Sequence, residues 1–244
     1  MKVKHYLFTR FNLVFVKNEN KPWAERVVDQ GNLNRFSKIW WTERFRLFNK
    51  YCLPSVNSQT TKDFEWIIFV HKDSEQGYLD RLANHATLMK TDFPDFEAAP
   101  VYMKEGCKGY DFVITTNLDN DDAVSPSFLE EVRKEFRGEM EYLNVTEGFN
   151  LCDYPDNNVY VGKQKFSNPY RSLVEPVSDS MKSVYHITHG DSAKIAPVRQ
   201  IGQNARWLQI IHGNNLSNRF KAYSNDKPAN VNGLYEIFPF LENK

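Results

Sequence analysis

"VITTNLDNDDAVSP", residues 113–126, sets an apolar run directly before Asp119, Asn120, Asp121 and Asp122. An apolar segment that stops abruptly in charge suits a strand buried on both faces, as in a parallel sheet. "DFEWIIFVHKDS", residues 63–74, has the same form, and "HYLFTRFNLVFV", residues 5–16, is rich in the β-branched and aromatic residues of a first strand or strand pair. In "WTERFRLFNKYCLPSV", residues 41–56, Phe45, Phe48, Cys52 or Leu53, and Val56 recur at helical spacing. "QGYLDRLANHATLM", residues 76–89, reads as a second helix, and Ser125 with Pro126 opens a third as N-cap and first turn. Strand and helix thus alternate through about residue 137, which predicts βαβ units and a parallel sheet.

The pattern then changes. "EYLNVTEGFNLCDY" (141–154) and "NNVYVGKQKF" (157–166) read as antiparallel strands, and "NPYRSLVEPVSDS" (168–180) as a loop. "RWLQIIHGNNLSN" (206–218) is a short apolar run closed by a turn, and "NKPWAERVVDQGNLNRFSK" (20–38) a polar connection. No internal repeat or low-complexity linker divides the chain, so one domain over residues 1–244 is expected, its two halves sharing a sheet.

Composition narrows the function classes. Thirty-one Lys and Arg balance thirty-one Asp and Glu among 244 residues, so the basic excess of a nucleic-acid-binding domain is missing. Three cysteines, Cys52, Cys107 and Cys152, show no CxxC spacing, which argues against a zinc cluster or disulfide framework and for a reducing compartment. No stretch approaches the roughly twenty apolar residues of a membrane span. A cytoplasmic protein with no transmembrane segment is expected, peripheral membrane contact staying open.

Four acidic or amide side chains in a row persist cheaply only if water solvates them or a cation neutralises them. In open α/β sheets ligands bind outside the carboxyl ends of the strands, which is where this cluster falls. An EF-hand loop starting at Asp119 would need an oxygen ligand at its fifth position and Gly at its sixth; Ala123 and Val124 stand there, so that reading fails. A phosphohydrolase of the haloacid dehalogenase type would use Asp119 as nucleophile. A DxD motif would use the carboxylates to hold Mg²⁺ or Mn²⁺ against the diphosphate of a nucleotide-sugar. A protein that binds sugar or nucleotide without turnover is the remaining alternative.

"CLPSVNSQTTKDFEWIIFVHKDS" resembles the opening of family-two glycosyltransferases of the GT-A fold, through Cys52, Leu53, Ser55, Gln59, Thr60, Asp63, Phe64 and Glu65. "NLDNDDAVSPSFLEEV" resembles their acidic segment. "TRFN", "WWTERFRLFNKYCLPSV", "TTNLDNDDA", "SNPYRSLVEP" and "WLQIIHGNNLSN" together resemble the rhamnosyltransferase family of bacteria, over about residues 5–218.

This resemblance implies an α/β GT-A-like fold, with a mostly parallel central sheet and an antiparallel acceptor-side half. Residues 1–137 would form the nucleotide-binding half and 138–244 the acceptor side. It implies metal-dependent transfer of a sugar, rhamnose by the family's label, from a nucleoside diphosphate to a glycan or lipid-linked glycan hydroxyl with inversion. Asp119, Asp121 and the late-chain His212 would hold Mn²⁺ or Mg²⁺; two carboxylates and an imidazole suit Mn²⁺ better. Thr9, Arg10, Asn12, Arg44, His71, Asp73, Asn117, Asp119 and Asn120 would contact the donor. Arg10 and Arg44 would fork onto its phosphates. "HKDS" replaces the family-two acidic pair after the second strand, and Asn117 stands where the narrower family carries Arg. Glu175, ahead of Asp191, is the candidate base for the acceptor hydroxyl. Asp122 and Trp207 are candidate acceptor contacts, with core packing an equal alternative for Trp207.

Overall fold

The computed structural model describes residues 1–13, 35–92, 95–153, 159–161, 166–202, 204–212 and 231–242. Most of the 20–38 connection and the turn after His212 lie outside the described residues. β1 (Val3–Arg10), β2 (Glu65–His71) and β4 (Phe112–Asn117) form the centre of a seven-stranded sheet. With β3 (Thr87–Thr91), β6 (Glu141–Val145), β9 (Arg171–Pro176) and β10 (Val198–Ile201), its order is β10-β6-β9-β4-β1-β2-β3. Every pairing is parallel except those of β9, which runs antiparallel to both β4 and β6. Strands from both sides of residue 137 therefore share this sheet. It is the mixed, mostly parallel α/β fold that the resemblance implied.

A second, four-stranded sheet has the order β5-β11-β7-β8. It joins β5 (Ala123–Val124), β11 (Trp207–Ile211), β7 (Gly148–Cys152) and β8 (Val159–Val161). β5 starts one residue after the acidic cluster, so the acidic turn is the hinge from one sheet to the other. β7 and β8 pair antiparallel as expected, but β6 and β7 belong to different sheets.

On one face of the large sheet, α1 (Lys38–Leu47), a π turn (Phe48–Cys52) and α2 (Leu53–Asn57) run on without a break. Pro54 explains the π turn: it has no N–H to donate, and Leu53 N–H already reaches back five residues to Phe48 O. Trp41, Phe45 and Phe48 pack there against Phe11 of the first strand's exit and Trp66 of β2. α4 (Asp95–Gly106) and residues 181–196 cover the opposite face, over Tyr6, Phe8 and Phe69.

Three elements differ from their sequence reading. α3 (Gln76–Ala83) stops at Ala83, and Thr87–Thr91 forms β3, a largely exposed edge strand whose weak alternation mimics a helix tail. "RSLVEP" is not a loop but the antiparallel strand β9, filled with buried polar residues that hid it. The helix after the acidic turn, α5 (Phe128–Lys134), has Ser127 at its N-cap position with the hydroxyl turned to Asn204 O; Ser125 instead receives the backbone N–H of Arg206 on its hydroxyl. α6 (Val231–Ile237) packs Leu234 against the second sheet. No helix among the described residues is long and apolar enough to cross a membrane.

Candidate active site at the carboxyl ends of the strands

β1, β4 and β11 end at one place, and the acidic turn lies between them. Asn120 stitches the turn to the first strand by donating to the carbonyls of Arg10 and Phe11 at 2.6 and 3.2 Å. Arg10 pairs with Asp119 at 2.8 Å, and its guanidinium lies 5.0 Å from the ring centre of Tyr185. Arg44, carried in on α1, pairs with Asp121 at 2.7 Å. His212, one residue past β11, meets the same Asp121 oxygen through Nε2 at 2.9 Å.

The three carboxylates have different fates. Burial alone would raise the Asp121 carboxyl, but Arg44 and His212 overrule it and hold it well below the usual range. Asp122, next in sequence, is pushed well above that range by burial and by the charges of Asp121 and Asp119. It accepts from Tyr170 Oη at 2.6 Å and from Ile210 N–H at 2.8 Å, so it ties β11 to the turn. Both its oxygens are spent inside the protein, so Asp122 does not fit the expected acceptor contact. Trp207 does not fit it either. Its ring stacks on Tyr170 at 4.9 Å, its Nε1 donates to Val145 O, and it is buried in the core.

The other expected donor contacts divide. Asn12 donates to Ser74 Oγ at 2.7 Å and accepts His71 N–H at 3.0 Å, fastening the exits of β1 and β2 together. His71 Nδ1 accepts Asp73 N–H, and the Asp73 side chain is exposed. These residues line the same edge as Arg10. Thr9 points the other way: fully buried, it accepts Trp66 Nε1–H at 3.0 Å, which leaves it no route to a donor. Asn117 is buried at the end of β4, donating to Pro169 O.

Glu175 lies at the wrong end of the sheet for a base. It pairs in register with Val113 at the start of β4, four residues before Asn117. Its two oxygens accept Lys182 N–H and Ser183 N–H, each at 2.9 Å. Burial raises its carboxyl. Ser183 has a φ of 72°, in the left-handed region, and this clamp holds it there. Asp191 stands in a 3₁₀ turn (His189–Lys194) of the segment that follows, more exposed, bonded to Thr188 Oγ1 and Lys194, which lower its carboxyl.

Arg35 escaped the sequence reading. It is buried, donates to Leu13 O, and is pushed down to about 9 by burial and by the nearby charges of Arg44 and Arg10. Nothing in "NRFSK" marks it; only the fold brings a third guanidinium to this spot.

The chemistry of the donor set suits a divalent cation: carboxylate oxygens on Asp119 and Asp121, an imidazole on His212. Asp121 Oδ2 and His212 Nε2 are 2.9 Å apart as hydrogen-bond partners, so both would be at hand to hold such an ion. Arg10 and Arg44 hold the two carboxylates apart, and among the described residues no three of His, Cys, Asp and Glu converge as a ready ligand set.

No curated protein matches this chain. Among solved structures, TarS 1–349 of S. aureus is 10% identical at a TM-score of 0.46, with 85% of this chain and 60% of that one covered. The inositol-1-phosphate CTP transferase of T. maritima is 11% identical at 0.42, with 98% and 97% covered. Both likenesses are distant, and this chain spans less than two thirds of the TarS segment. A family model described as "Putative rhamnosyl transferase" matches residues 4–224, from β1 past the end of β11. The chain with this arginine-lined acidic turn therefore belongs to the rhamnosyl transferase family.

Proposed function

We propose that the protein transfers a sugar, rhamnose by the family's description, from a nucleoside diphosphate to a hydroxyl of a glycan or lipid-linked glycan. One observation carries the reading: Arg10 and Arg44 pair with Asp119 and Asp121 of the turn at the carboxyl ends of β1 and β4, and Arg35 lies close enough to both guanidinium groups to feel their charge. Guanidinium groups fork onto phosphate oxygens, so this edge favours a diphosphate and the negative charge it gains as it leaves. Asp119, Asp121 and His212 would hold Mn²⁺ or Mg²⁺, which when bound offsets part of that same charge. Binding either partner requires the ion pairs to part: a phosphate draws Arg10 and Arg44 away and frees the carboxylates. Asn12 and Asn120 keep the strand exits and the turn in place while this exchange occurs.

Asp191 is the base in this reading, since Glu175 is committed to the backbone. A single displacement with Asp191 taking the acceptor proton inverts the anomeric carbon. A reaction on cytoplasmic nucleotide-sugar, with the acceptor at or near a membrane surface, fits this chemistry.

A thermal-shift series with UDP, GDP and dTDP, each with and without Mn²⁺, tests the reading, because a ligand of the native state raises Tm by linkage. One nucleotide should raise Tm, and more so with Mn²⁺. A flat response to all six conditions, with phosphate released from a simple phosphoester, would move the reading to the phosphohydrolase.

A further inference from the structure

Next to Arg10, on the same face of the sheet, two neighbouring side chains carry buried polar atoms without a partner. Asn117 and Arg171 each stand one residue beyond Thr116↔Ser172, the last pair of β4 and β9. Strand alternation sets them on the face of Thr115 and Leu173, the face that residues 181–196 cover. Arg171 Nη2 donates to the carbonyls of Val184 and Ile187, and Thr115 Oγ1 accepts Val184 N–H at 2.8 Å. Arg171 is only 3% exposed, yet its Nε and Nη1 have no acceptor. Asn117 is 5% exposed, and its Oδ1 has no donor. The hydroxyl of Tyr142, whose ring centre is 4.9 Å from the Arg171 guanidinium, is buried and unpartnered as well.

Native proteins leave few such atoms, so four of them on three neighbouring side chains, Asn117 and Arg171 at strand ends that border a site, are unusual. The donors and the acceptor are complementary but do not satisfy one another. A carboxylate or phosphate would satisfy Arg171, but it would present lone pairs to Asn117 Oδ1. A hydroxyl group does both tasks: its oxygen accepts from the guanidinium and its hydrogen goes to the amide oxygen.

The geometry points to a polyhydroxyl subsite in which Arg171 and Asn117 hold ring hydroxyls of the donor's sugar. This rests on the nucleotide-sugar reading above and adds to it: the pair distinguishes a sugar-loaded nucleoside diphosphate from the bare one. Arg171 is a specificity residue here, separate from the arginines that meet the phosphates.

Calorimetry on the wild type, Arg171→Met and Arg171→Lys tests it, with UDP against UDP-glucose, GDP against GDP-mannose and dTDP against dTDP-rhamnose. In the wild type one sugar-nucleotide should bind more tightly than its bare diphosphate. Both variants should lose that advantage, about 10-fold or more, and keep the affinity for the bare diphosphate. Equal weakening of both ligands overturns the assignment, since the arginine would then serve the phosphates or the fold. Unchanged binding overturns it too, and leaves the orphaned N–H groups to water. A wild type that binds none of the three diphosphates removes the nucleotide-sugar reading itself, and the subsite with it. Should both variants fail to fold, monodeoxy forms of the preferred donor carry the test on the wild type. Loss of one ring hydroxyl should abolish the advantage; undiminished binding of every monodeoxy form overturns the subsite.

Discussion

The acidic turn and the Glu175 clamp both bury a carboxylate, at opposite ends of the same sheet. Glu175 takes its hydrogen bonds from two neutral backbone N–H groups, and it fixes the left-handed turn at Ser183 that starts the cover over Arg10. The turn meets cations on Asp119 and Asp121 and neutral partners on Asp122. Within one turn, then, Asp122 resembles Glu175 more than it resembles its own neighbour. A buried acid whose oxygens are filled by neutral donors builds the fold. An acid matched to guanidinium groups at strand ends is held by ion pairs, which in the proposed function a phosphate and a cation would exchange.

Five substitutions sharpen or break this contrast, the largest effect first. Asp121→Ala should cut sugar transfer by about 10³-fold, the scale of a lost group that stabilises transition-state charge. Its circular dichroism should stay native while the chemical-denaturation midpoint falls, because Arg44 loses its carboxylate partner; loss of the native circular dichroism would place Asp121 among the builders. Asp122→Ala strands Tyr170 Oη and Ile210 N–H inside the protein, and should cost about 3 kcal/mol of unfolding free energy. Wild-type stability in urea would show that the second sheet is held by other means.

Glu175→Gln turns one acceptor into a donor that faces a backbone N–H, for a cost of roughly 2 kcal/mol. Donor affinity, measured on the folded fraction, should be unchanged. The comparison also has a pH signature. Burial raises the folded carboxyl above its ordinary 4.5, so the native state binds its proton more tightly than the unfolded chain does. Wild-type stability relative to the Gln variant should therefore be greatest below 4.5 and fall as pH rises through the raised value. The opposite slope would mean that the two N–H bonds outweigh burial.

His212→Gln keeps an amide donor for Asp121 but removes the imidazole lone pair. Mn²⁺ affinity in the presence of nucleotide should fall about 10-fold, with the metal-free Tm nearly constant. A lower metal-free Tm with intact Mn²⁺ affinity would make His212 a turn residue. Ser183→Gly is the gentlest change. Glycine adopts a φ of 72° without the side-chain penalty, so the variant should gain about 1 kcal/mol, less whatever the Ser183 hydroxyl bond to Tyr185 N–H is worth. A loss of stability would show that this hydroxyl bond, and not the clamp alone, sets the turn.

Much of the fold was legible because β2 and β4 are nearly continuous apolar runs ended by charge, a pattern that only a doubly covered strand needs. β9 was not, because Arg171, Ser172 and Glu175 are polar residues buried in a sheet, and polarity along a sequence reads as solvent. β3 was missed since a short edge strand has weak alternation. In the site, the acidic turn and its partners Arg10 and Arg44 stood out through charge density and residue type. Glu175 misled for the reason that β9 did. Trp207 and Asp122 could not be separated from ligand contacts without Tyr170, whose ring and hydroxyl engage both. Arg35 and Arg171 carry no local signature; three-dimensional neighbours alone give them meaning.

The ends of the chain's described strands meet in one pair of contacts: Arg10 leaves the first strand, and His212 leaves the last. Synthesis proceeds from the amino terminus, so the large sheet's central strands emerge long before β11. Until β11 arrives, Asp121 lacks its imidazole and Asp122 lacks the Ile210 amide. A nascent or carboxy-terminally shortened chain would thus carry an acidic turn tied to β1 and α1 but missing its fastening to the second sheet. On the proposed function, competence to seat a nucleotide would be a late event in the life of each molecule, and nucleotide capture on stalled ribosomes would date the moment β11 docks.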